Sequence, residues 1–360
     1  MADFDIAGHR LANQSIAPAT MDTPVEVVHR LGAVQAQDYA SGLWAVGLRL
    51  KEANRQSVEQ AISDRKIVRT WPMRGTLHFV TAVDIRWLLA LLTPPILARS
   101  ARRHQQLELD EATFARAADL LMAALENGRS LTRRQMMTVL EAAGISTGGQ
   151  RGYHILWWAS QTGLICFGPQ QGKEETFVLL DEWLPPGKQL NRAESLTELA
   201  RRYFTGHGPA TVQDFGWWSG LPAADAHQGL ELVRAELVSE QINGRTYWFS
   251  TTAMPETSTP TVHLLPPFDQ YLLGYKERDA VLDPAQSARI VPGGNGVFKP
   301  ILVVKGQVVG VWKRTIRKTK VTIELMPFTP LDPVQLEMAN AAAERYGRFL
   351  DLPVEVAEVS

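Results

Sequence analysis

The feature that most constrains the fold is a repeated order of predicted secondary-structure elements, in which two helices are followed by two strands. Residues 131–143 and 149–162 predict the two helices, and a capping box at residues 132–135 starts the first. Apolar strands follow at residues 164–167 and 176–180. Helix, turn, helix and hairpin is the order of a winged helix, whose second helix can enter a DNA major groove.

The same order is predicted further along the chain. Capping signatures at residues 195–198 and 211–214 predict the starts of two helices, and residues 222–237 predict a third. Asn243-Gly244 then separates two strand-forming segments, which is the strongest short signal for a β-hairpin. A second winged-helix unit is therefore predicted here.

The N-terminal part of the chain predicts another such unit. Residues 23–26 form a capping box with proline at the first helical position, so we predict a helix that runs to about Gln37. A short helix follows, and residues 67–80 are predicted to be extended.

Together these patterns predict an α+β protein of tandem winged-helix units with a C-terminal β-rich region. From Thr261 the sequence becomes strand-forming, and a helix at residues 333–350 closes the chain. We therefore divide the chain into winged-helix segments at residues 1–92, 93–190 and 191–258, and a β-rich region at residues 259–360. The first segment holds the candidate catalytic motif.

Composition limits the class of protein further. A hydrophobic content of 45% over 360 residues is ample for packed cores. Because 37 Lys and Arg face 38 Asp and Glu, the net charge is −1, and a polyanion must be met by a local patch. No signal peptide and no stretch of about 20 apolar residues is visible. We expect a cytoplasmic monomer that does not enter a membrane.

No metal or cofactor is predicted. The one cysteine, Cys166, lies in an apolar run and is expected to be a small buried side chain. The histidines lack the spacing of zinc ligands. The glycine-containing segments 168–174 and 292–296 lack the spacing of a phosphate loop and a following helix, respectively.

Gln35-Ala36-Gln37 is the candidate catalytic motif. On a regular helix, residues two apart project about 200° away from each other. Gln35 continues the apolar stripe of Val28 and Leu31, so it is expected to be buried, unless the helix frays before Gln37. An amide oxygen can orient water and face a developing cation, but it is too weak a base to deprotonate water. Such a residue suits a reaction whose leaving group is already activated.

Basic residues concentrate in residues 313–320, with five cations in eight positions, and again in residues 99–104. A solvated charged face is one interpretation, and phosphate binding beside winged helices is the other. The residues that we select as candidate DNA contacts are Lys313, Arg314, Arg317 and Lys318, with Arg74 as a further candidate. Asp269 is either a structural residue, a buried and capped carboxylate, which we favour, or a catalytic one.

Several separated motifs, taken in order, resemble one known family over about residues 6 to 350. They are Val34-Gln35-Ala36-Gln37, Trp71-Pro72-Met73-Arg74-Gly75-Thr76-Leu77-His78, His207-Gly208-Pro209-Ala210-Thr211, Trp217-Trp218-Ser219-Gly220-Leu221 and Leu265-Pro266-Pro267-Phe268-Asp269-Gln270-Tyr271-Leu272-Leu273-Gly274. With these residues the chain resembles the AlkZ/YcaQ superfamily of winged-helix DNA glycosylases. Its Gln-aliphatic-Gln motif is similar to that of the AlkZ-like branch.

The resemblance implies hydrolysis of the N-glycosidic bond of alkylated purines in double-stranded DNA, with N7-alkylguanine and interstrand crosslinks as substrates. It implies that Gln37 places the attacking water while Gln35 orders the site, without a lyase step or a cofactor. Two alternatives stay open. A non-catalytic winged-helix regulator would bind duplex DNA without using the glutamines, and an interaction scaffold would not bind nucleic acid at all.

Overall fold

The computed structural model describes residues 4–172, 174–250, 261–294 and 296–358 and confirms the predicted α+β class. The α-helices are α1 Ile6–Asn13, α2 Pro24–Leu31, α3 Tyr39–Gly47, α4 Arg55–Ser63, α5 Ile85–Leu92, α6 Pro94–Gln106, α7 Glu111–Leu125, α8 Arg133–Ala142, α9 Arg151–Gln161, α10 Leu180–Trp183, α11 Arg192–His207, α12 Val212–Ser219, α13 Ala223–Val233, α14 Gln270–Leu273, α15 Ser287–Ile290 and α16 Pro333–Leu350. The strands are β1 Val34–Gln35, β2 Ile67–Met73, β3 Thr76–Thr81, β4 Leu131–Thr132, β5 Ile165–Phe167, β6 Thr176–Leu179, β7 Val238–Ile242, β8 Arg245–Phe249, β9 Val262–Leu265, β10 Ile301–Val304, β11 Gln307–Ile316, β12 Val321–Pro327 and β13 Val354–Glu358. Among the described residues, no helix is both long and apolar enough to cross a bilayer.

Side-chain caps set where several helices begin. The capping boxes predicted at residues 23–26 and 132–135 are present at the starts of α2 and α8. The signature at residues 195–198 was misplaced, because α11 already begins at Arg192. There the backbone N–H of Asn191 donates to Glu194 at 2.8 Å, and the N–H of Glu194 donates to the Asn191 side chain at 3.0 Å. Asparagine is as good a cap as serine, so the upstream pair starts the helix.

The chain divides into two compact units. Unit A comprises Met1–Gln60, Leu196–Trp218 and Pro222–Ser360, and unit B comprises Ala61–Ser195 and Ser219–Leu221. In unit B, β2 pairs with β3, and β4, β6 and β5 form an antiparallel sheet in that order. A continuous apolar core joins this sheet to the helices α7, α8 and α9.

In the described residues after position 130, the predicted order of helix, helix and hairpin is present in two places. In unit B, α8 and α9 are followed by the antiparallel pair β5 and β6. Downstream, α12 and α13 are followed by β7 and β8, which pair through Asn243 and Gly244. Both turn residues have positive φ, 51° and 75°, as a type I′ hairpin turn requires.

Unit A contains a five-stranded sheet of order β13-β12-β11-β10-β9. The β12 and β13 strands are parallel and the other pairs are antiparallel. Helix α16 packs on this sheet, and α3 is fastened to it because Trp44 donates from Nε1 to the Leu264 carbonyl at 2.8 Å. Trp312 of β11 donates to the neighbouring Leu265 carbonyl, also at 2.8 Å. Side chains from α3 and from β11 are therefore both hydrogen-bonded to the backbone of β9.

A buried ion pair lies in unit A. Arg49 donates to both carboxylate oxygens of Asp269 at 2.8 and 3.0 Å, and their side chains are 0% and 1% exposed. Asp269 also accepts from the Tyr271 N–H at 2.9 Å and so caps α14. Asp269 is therefore buried, as predicted, and its role as the cap of α14 was not predicted.

Near this ion pair lies His207, whose burial leads us to expect a lower free energy of unfolding in acid. Burial, helped by the charge of Arg49, lowers the pKa of His207 to about 3. Unfolded histidine titrates near pH 6.5, so between these values the unfolded chain binds one more proton and stability decreases as pH falls. We expect this group to cost about 2 kcal/mol of unfolding free energy between pH 7 and pH 5. Urea denaturation of wild type and His207→Gln at both pH values measures it, and equal losses in the two proteins would contradict the assignment.

Candidate active site

The prediction that the helix continues to Gln37 is wrong. Helix α2 ends at Leu31, and Gly32 follows with φ of 72°, a conformation that glycine adopts without strain. Val34 and Gln35 then form the short strand β1, and α3 begins at Tyr39. Gly32 is the physical reason for the stop, and the motif lies in the link between two helices. The helical angle between the two glutamines therefore does not apply.

The two glutamines nevertheless differ in exposure as expected, with Gln35 buried and Gln37 exposed. Gln35 is 7% exposed and Ala36 is fully buried, whereas Gln37 is exposed. The preceding Ala33 and Val34 are also buried, so the first half of the link is held on the core of unit A. Gln37 is the amide of the motif that a solvent molecule or a substrate can reach.

Contacts upstream fix how the chain enters the motif. Arg30 donates from Nε to the Asn13 carbonyl at 2.8 Å and from Nη2 to the Thr205 carbonyl at 3.4 Å. Gly32 packs so closely on Trp218 that a Cβ would lie 3.3 Å from the indole ring. The end of α2 is therefore tied to α1 and α11 immediately before the motif.

Contacts downstream fix how the chain leaves it. Asp38 is the N-cap of α3, because its Oδ1 accepts from the Ser41 N–H at 2.7 Å. Arg314 of β11 donates from Nη2 to Asp38 Oδ1 at 3.3 Å and to Ser41 Oγ at 3.1 Å. The basic run is thus brought, within unit A, to the residue that follows Gln37.

The basic hairpin, which we define as β11, β12 and the turn at residues 317–320, presents other cations to solvent. The side chain of Lys313 is 62% exposed and lies 3.4 Å from Glu324. Arg317 and Lys318 are exposed in the turn. These three side chains can reach an external anion, whereas Arg314 is only 20% exposed.

Arg74 lies in unit B, at the turn between β2 and β3, and has φ of 53°. Its charge contributes, after burial, to lowering the pKa of His78 to about 3. Its Cγ lies against Gly220, 3.2 Å from where a Cβ would be. Arg74 is partly buried in this corner of unit B.

Sequence reasoning missed Asp38, Ser41 and Tyr346. Asp38 stands directly before an apolar helix and three residues before Ser41, so the usual N-cap signature was available. Tyr346 gave no local signal, because its hydroxyl meets Arg314 Nη1 at 2.8 Å from 32 residues away in the chain.

The described residues contain no group of three or more His, Cys, Asp or Glu side chains that is placed to hold a metal ion. Cys166 is fully buried, and burial raises the pKa of its thiol to about 12. Since the thiolate is the reactive form of cysteine, this thiol is unreactive at neutral pH.

Comparisons with known proteins identify the family of the chain. The sequence model of the DNA glycosylase AlkZ-like family matches residues 28–349. A protein of Streptomyces sahachiroi named interstrand DNA cross-link repair glycosylase is 28% identical over 374 residues, covering 96% of this chain and 97% of the relative. The solved structure of Streptomyces sahachiroi DNA glycosylase AlkZ is similar with a TM-score of 0.81 and 25% identity, over 98% of both chains. The chain therefore belongs to the AlkZ-like family of DNA glycosylases, enzymes that hydrolyse N-glycosyl bonds.

Proposed function

We propose that this glycosylase is monofunctional and hydrolyses the N-glycosidic bond of N7-alkylated purines in double-stranded DNA, including those in interstrand crosslinks. The observation that carries the proposal is the exposed Gln37, in a link anchored on both sides and joined to the basic hairpin through Asp38 and Arg314. The name of the Streptomyces sahachiroi relative, an interstrand DNA cross-link repair glycosylase, supports the crosslinked substrates.

The proposed chemistry suits a weak amide. Alkylation at N7 leaves the base positively charged, so the base can depart with the electron pair of the C1′–N9 bond and become neutral. The sugar gains positive charge as that bond breaks. The Gln37 carbonyl oxygen holds a water against C1′, and its dipole stabilises the cation. The water oxygen bonds to C1′ and releases its proton to solvent, while Gln35 orders the link from the buried side.

The experiment is a glycosylase assay on duplex DNA with a single N7-methylguanine, and on a duplex with an N7-linked interstrand crosslink. The proposal expects abasic sites on the first and strand separation on the second, with no strand nicking before alkali because no Schiff base forms. If folded protein gives no abasic sites on several N7 adducts and releases no crosslink, the proposal fails.

We predict that the exposed cations of the basic hairpin set DNA affinity. In a Lys313→Gln, Arg317→Gln, Lys318→Gln triple variant, the slope of log affinity against log salt should become less steep by about 3, roughly one for each phosphate contact. Fluorescence anisotropy on a duplex between low and physiological salt measures the slope.

Lys51 provides the matched control for this experiment. Like Lys313 it is a half-exposed lysine of unit A with an acidic neighbour, Asp22, at 2.7 Å. Lys51→Gln should leave the slope unchanged. A triple variant with the wild-type slope would remove the hairpin from the DNA-binding surface.

We also propose that the two observed runs of helix, helix and hairpin, together with the N-terminal segment, act as winged helices within the segments 1–92, 93–190 and 191–258. The antiparallel hairpins that follow α9 and α13 support this assignment. We place Arg74 among the DNA contacts of the first segment. Arg74→Gln should then weaken duplex binding to a similar extent on different sequences, since a phosphate contact carries no base information.

A further inference from the structure

Arg314 differs from the other cations of the basic hairpin in what its guanidinium contacts. Its Nη1 donates to the Tyr346 hydroxyl at 2.8 Å, and its Nη2 lies 3.1 Å from Ser41 Oγ and 3.3 Å from Asp38 Oδ1. Both terminal nitrogens thus already have partners within unit A. A planar fork with several fixed donors is suited to holding two elements in one geometry.

One side of this bridge is packed in the core of unit A. Tyr346 belongs to α16 and is 1% exposed. Its ring packs edge-on against Trp44 and Trp312, with ring centroids 5.0 and 5.4 Å apart. Both tryptophans are hydrogen-bonded to the carbonyls of β9. Arg314 therefore projects from a strand and rests on a side chain that cannot shift without disturbing the core.

The other side of the bridge is the turn that carries Gln37. Asp38 follows Gln37 directly and caps α3 through the Ser41 N–H. Arg314 contacts the cap residue and the first-turn hydroxyl together, so it fixes the direction in which the chain leaves Gln37. The bridge thus adds a contact to β11 to the anchoring that Arg30 provides upstream and the Asp38 cap provides downstream.

Exposure separates Arg314 from its neighbour in the same strand. Successive side chains of a strand point to opposite faces. The side chain of Lys313 is 62% exposed, while that of Arg314 is 20% exposed. The same strand therefore offers one cation to solvent and turns the next toward α3.

We propose that Arg314 is a positioning residue of the glycosylase reaction, which holds the Gln37 turn in its reactive geometry through Asp38 and Ser41, and is not a phosphate contact. The inference rests on the role proposed above for Gln37. Holding a reacting group in place accounts for a large part of enzymatic rate enhancement, and small misplacements are costly. Arg314 therefore acts on the rate of bond cleavage and not on DNA affinity.

The test compares Arg314→Gln with Lys313→Gln in the full-length protein. With enzyme in excess and at saturation on N7-methylguanine duplex, Arg314→Gln should lower the single-turnover rate constant by roughly 10- to 100-fold. Its dissociation constant and salt slope should match those of wild type. Lys313→Gln, which removes a proposed phosphate contact, should make the slope less steep by about 1 and so shows what loss of one contact does. If Arg314→Gln changes the salt slope and leaves the rate constant unchanged, Arg314 is a phosphate contact and the inference is wrong.

A second variant guards against a fold defect in Arg314→Gln. Asp38→Asn keeps an oxygen that can cap α3 but removes the charge that faces Arg314. It should slow cleavage in the same way, and the double variant should be no slower than the slower single variant, since both changes break one bridge. Fully additive effects would show that the two residues act separately.

Hydrogen exchange distinguishes failure of this inference from failure of the proposed function. In Arg314→Gln, the amides of residues 37–42 should exchange faster than in wild type, while those of β12 should not change. If wild type cleaves no N7 adduct, the proposed function fails, and the exchange data still report whether Arg314 holds the turn. Unchanged exchange at residues 37–42 would overturn the inference in either case.

Discussion

Gln37→Ala is expected to abolish most of the base release while leaving duplex binding intact. The substitution removes the carbonyl that holds water against C1′ and faces the developing cation. Loss of one such preorganised polar group costs roughly 100- to 1,000-fold in rate. Because Gln37 is exposed, its truncation opens no cavity in the core of unit A. Single-turnover kinetics on N7-methylguanine duplex and anisotropy on the same duplex measure the two quantities.

Gln189 provides the control, since it is an exposed glutamine that lies outside the helices and strands. Gln189→Ala should leave rate and affinity unchanged. A Gln37→Ala protein with wild-type turnover would deprive the link of its proposed catalytic group. A Gln37→Ala protein that loses duplex binding in proportion to turnover would make Gln37 a binding residue. If the wild-type protein binds duplex DNA but releases no base from any adduct, the result would favour the alternative of a non-catalytic winged-helix regulator.

The elements that were predicted well are those with local physical signals. Helix α16 has the bounds that were predicted for it, and in the structure Asp332 caps it and Pro333 is its first residue. The hairpin of β7 and β8 followed from Asn243-Gly244, whose positive φ values are a property of those two residues. Such signals depend only on neighbours in sequence, so they can be read without knowledge of the fold.

The candidate catalytic motif shows where prediction from neighbouring residues fails. The spacing of Val28, Leu31 and Gln35 predicts one continuous apolar stripe, although Gly32 lies within it. In the structure Gly32 ends α2, and Gln35 is buried in a two-residue strand instead. The burial of Gln35 was predicted correctly although the predicted helix is absent there. Both the predicted helix and the observed strand place position 35 toward the core.

The long-range contacts around the candidate site could not be predicted from the sequence. Arg314 and Asp38 are 276 residues apart in the chain, and nothing near either one identifies the other. The run of cations at residues 313–320 suggested one common role. The fold separates these side chains by strand alternation, so that Arg314 turns toward α3 while Lys313 faces solvent.

Asp269→Ala is expected to lower the free energy of unfolding by about 3–5 kcal/mol, because it leaves the Arg49 guanidinium as an uncompensated charge in the interior. Arg49 is fully buried, and Asp269 holds two of its terminal nitrogens at 2.8 and 3.0 Å. The substitution also removes the cap of α14. Urea denaturation at neutral pH measures the loss.

Asp283→Ala separates the cap from the ion pair. Asp283 is exposed and caps the 3-10 turn Pro284–Gln286 by accepting from the Ala285 N–H at 2.9 Å, with no buried arginine to leave behind. Its loss should cost only about 1 kcal/mol. Equal losses for the two variants would show that the buried pair adds nothing beyond a cap.

At a temperature where Asp269→Ala is folded, its single-turnover rate should stay within about threefold of wild type, since Asp269 supports the fold and does not act on the substrate. A much larger loss of rate in the folded variant would return Asp269 to the list of catalytic candidates.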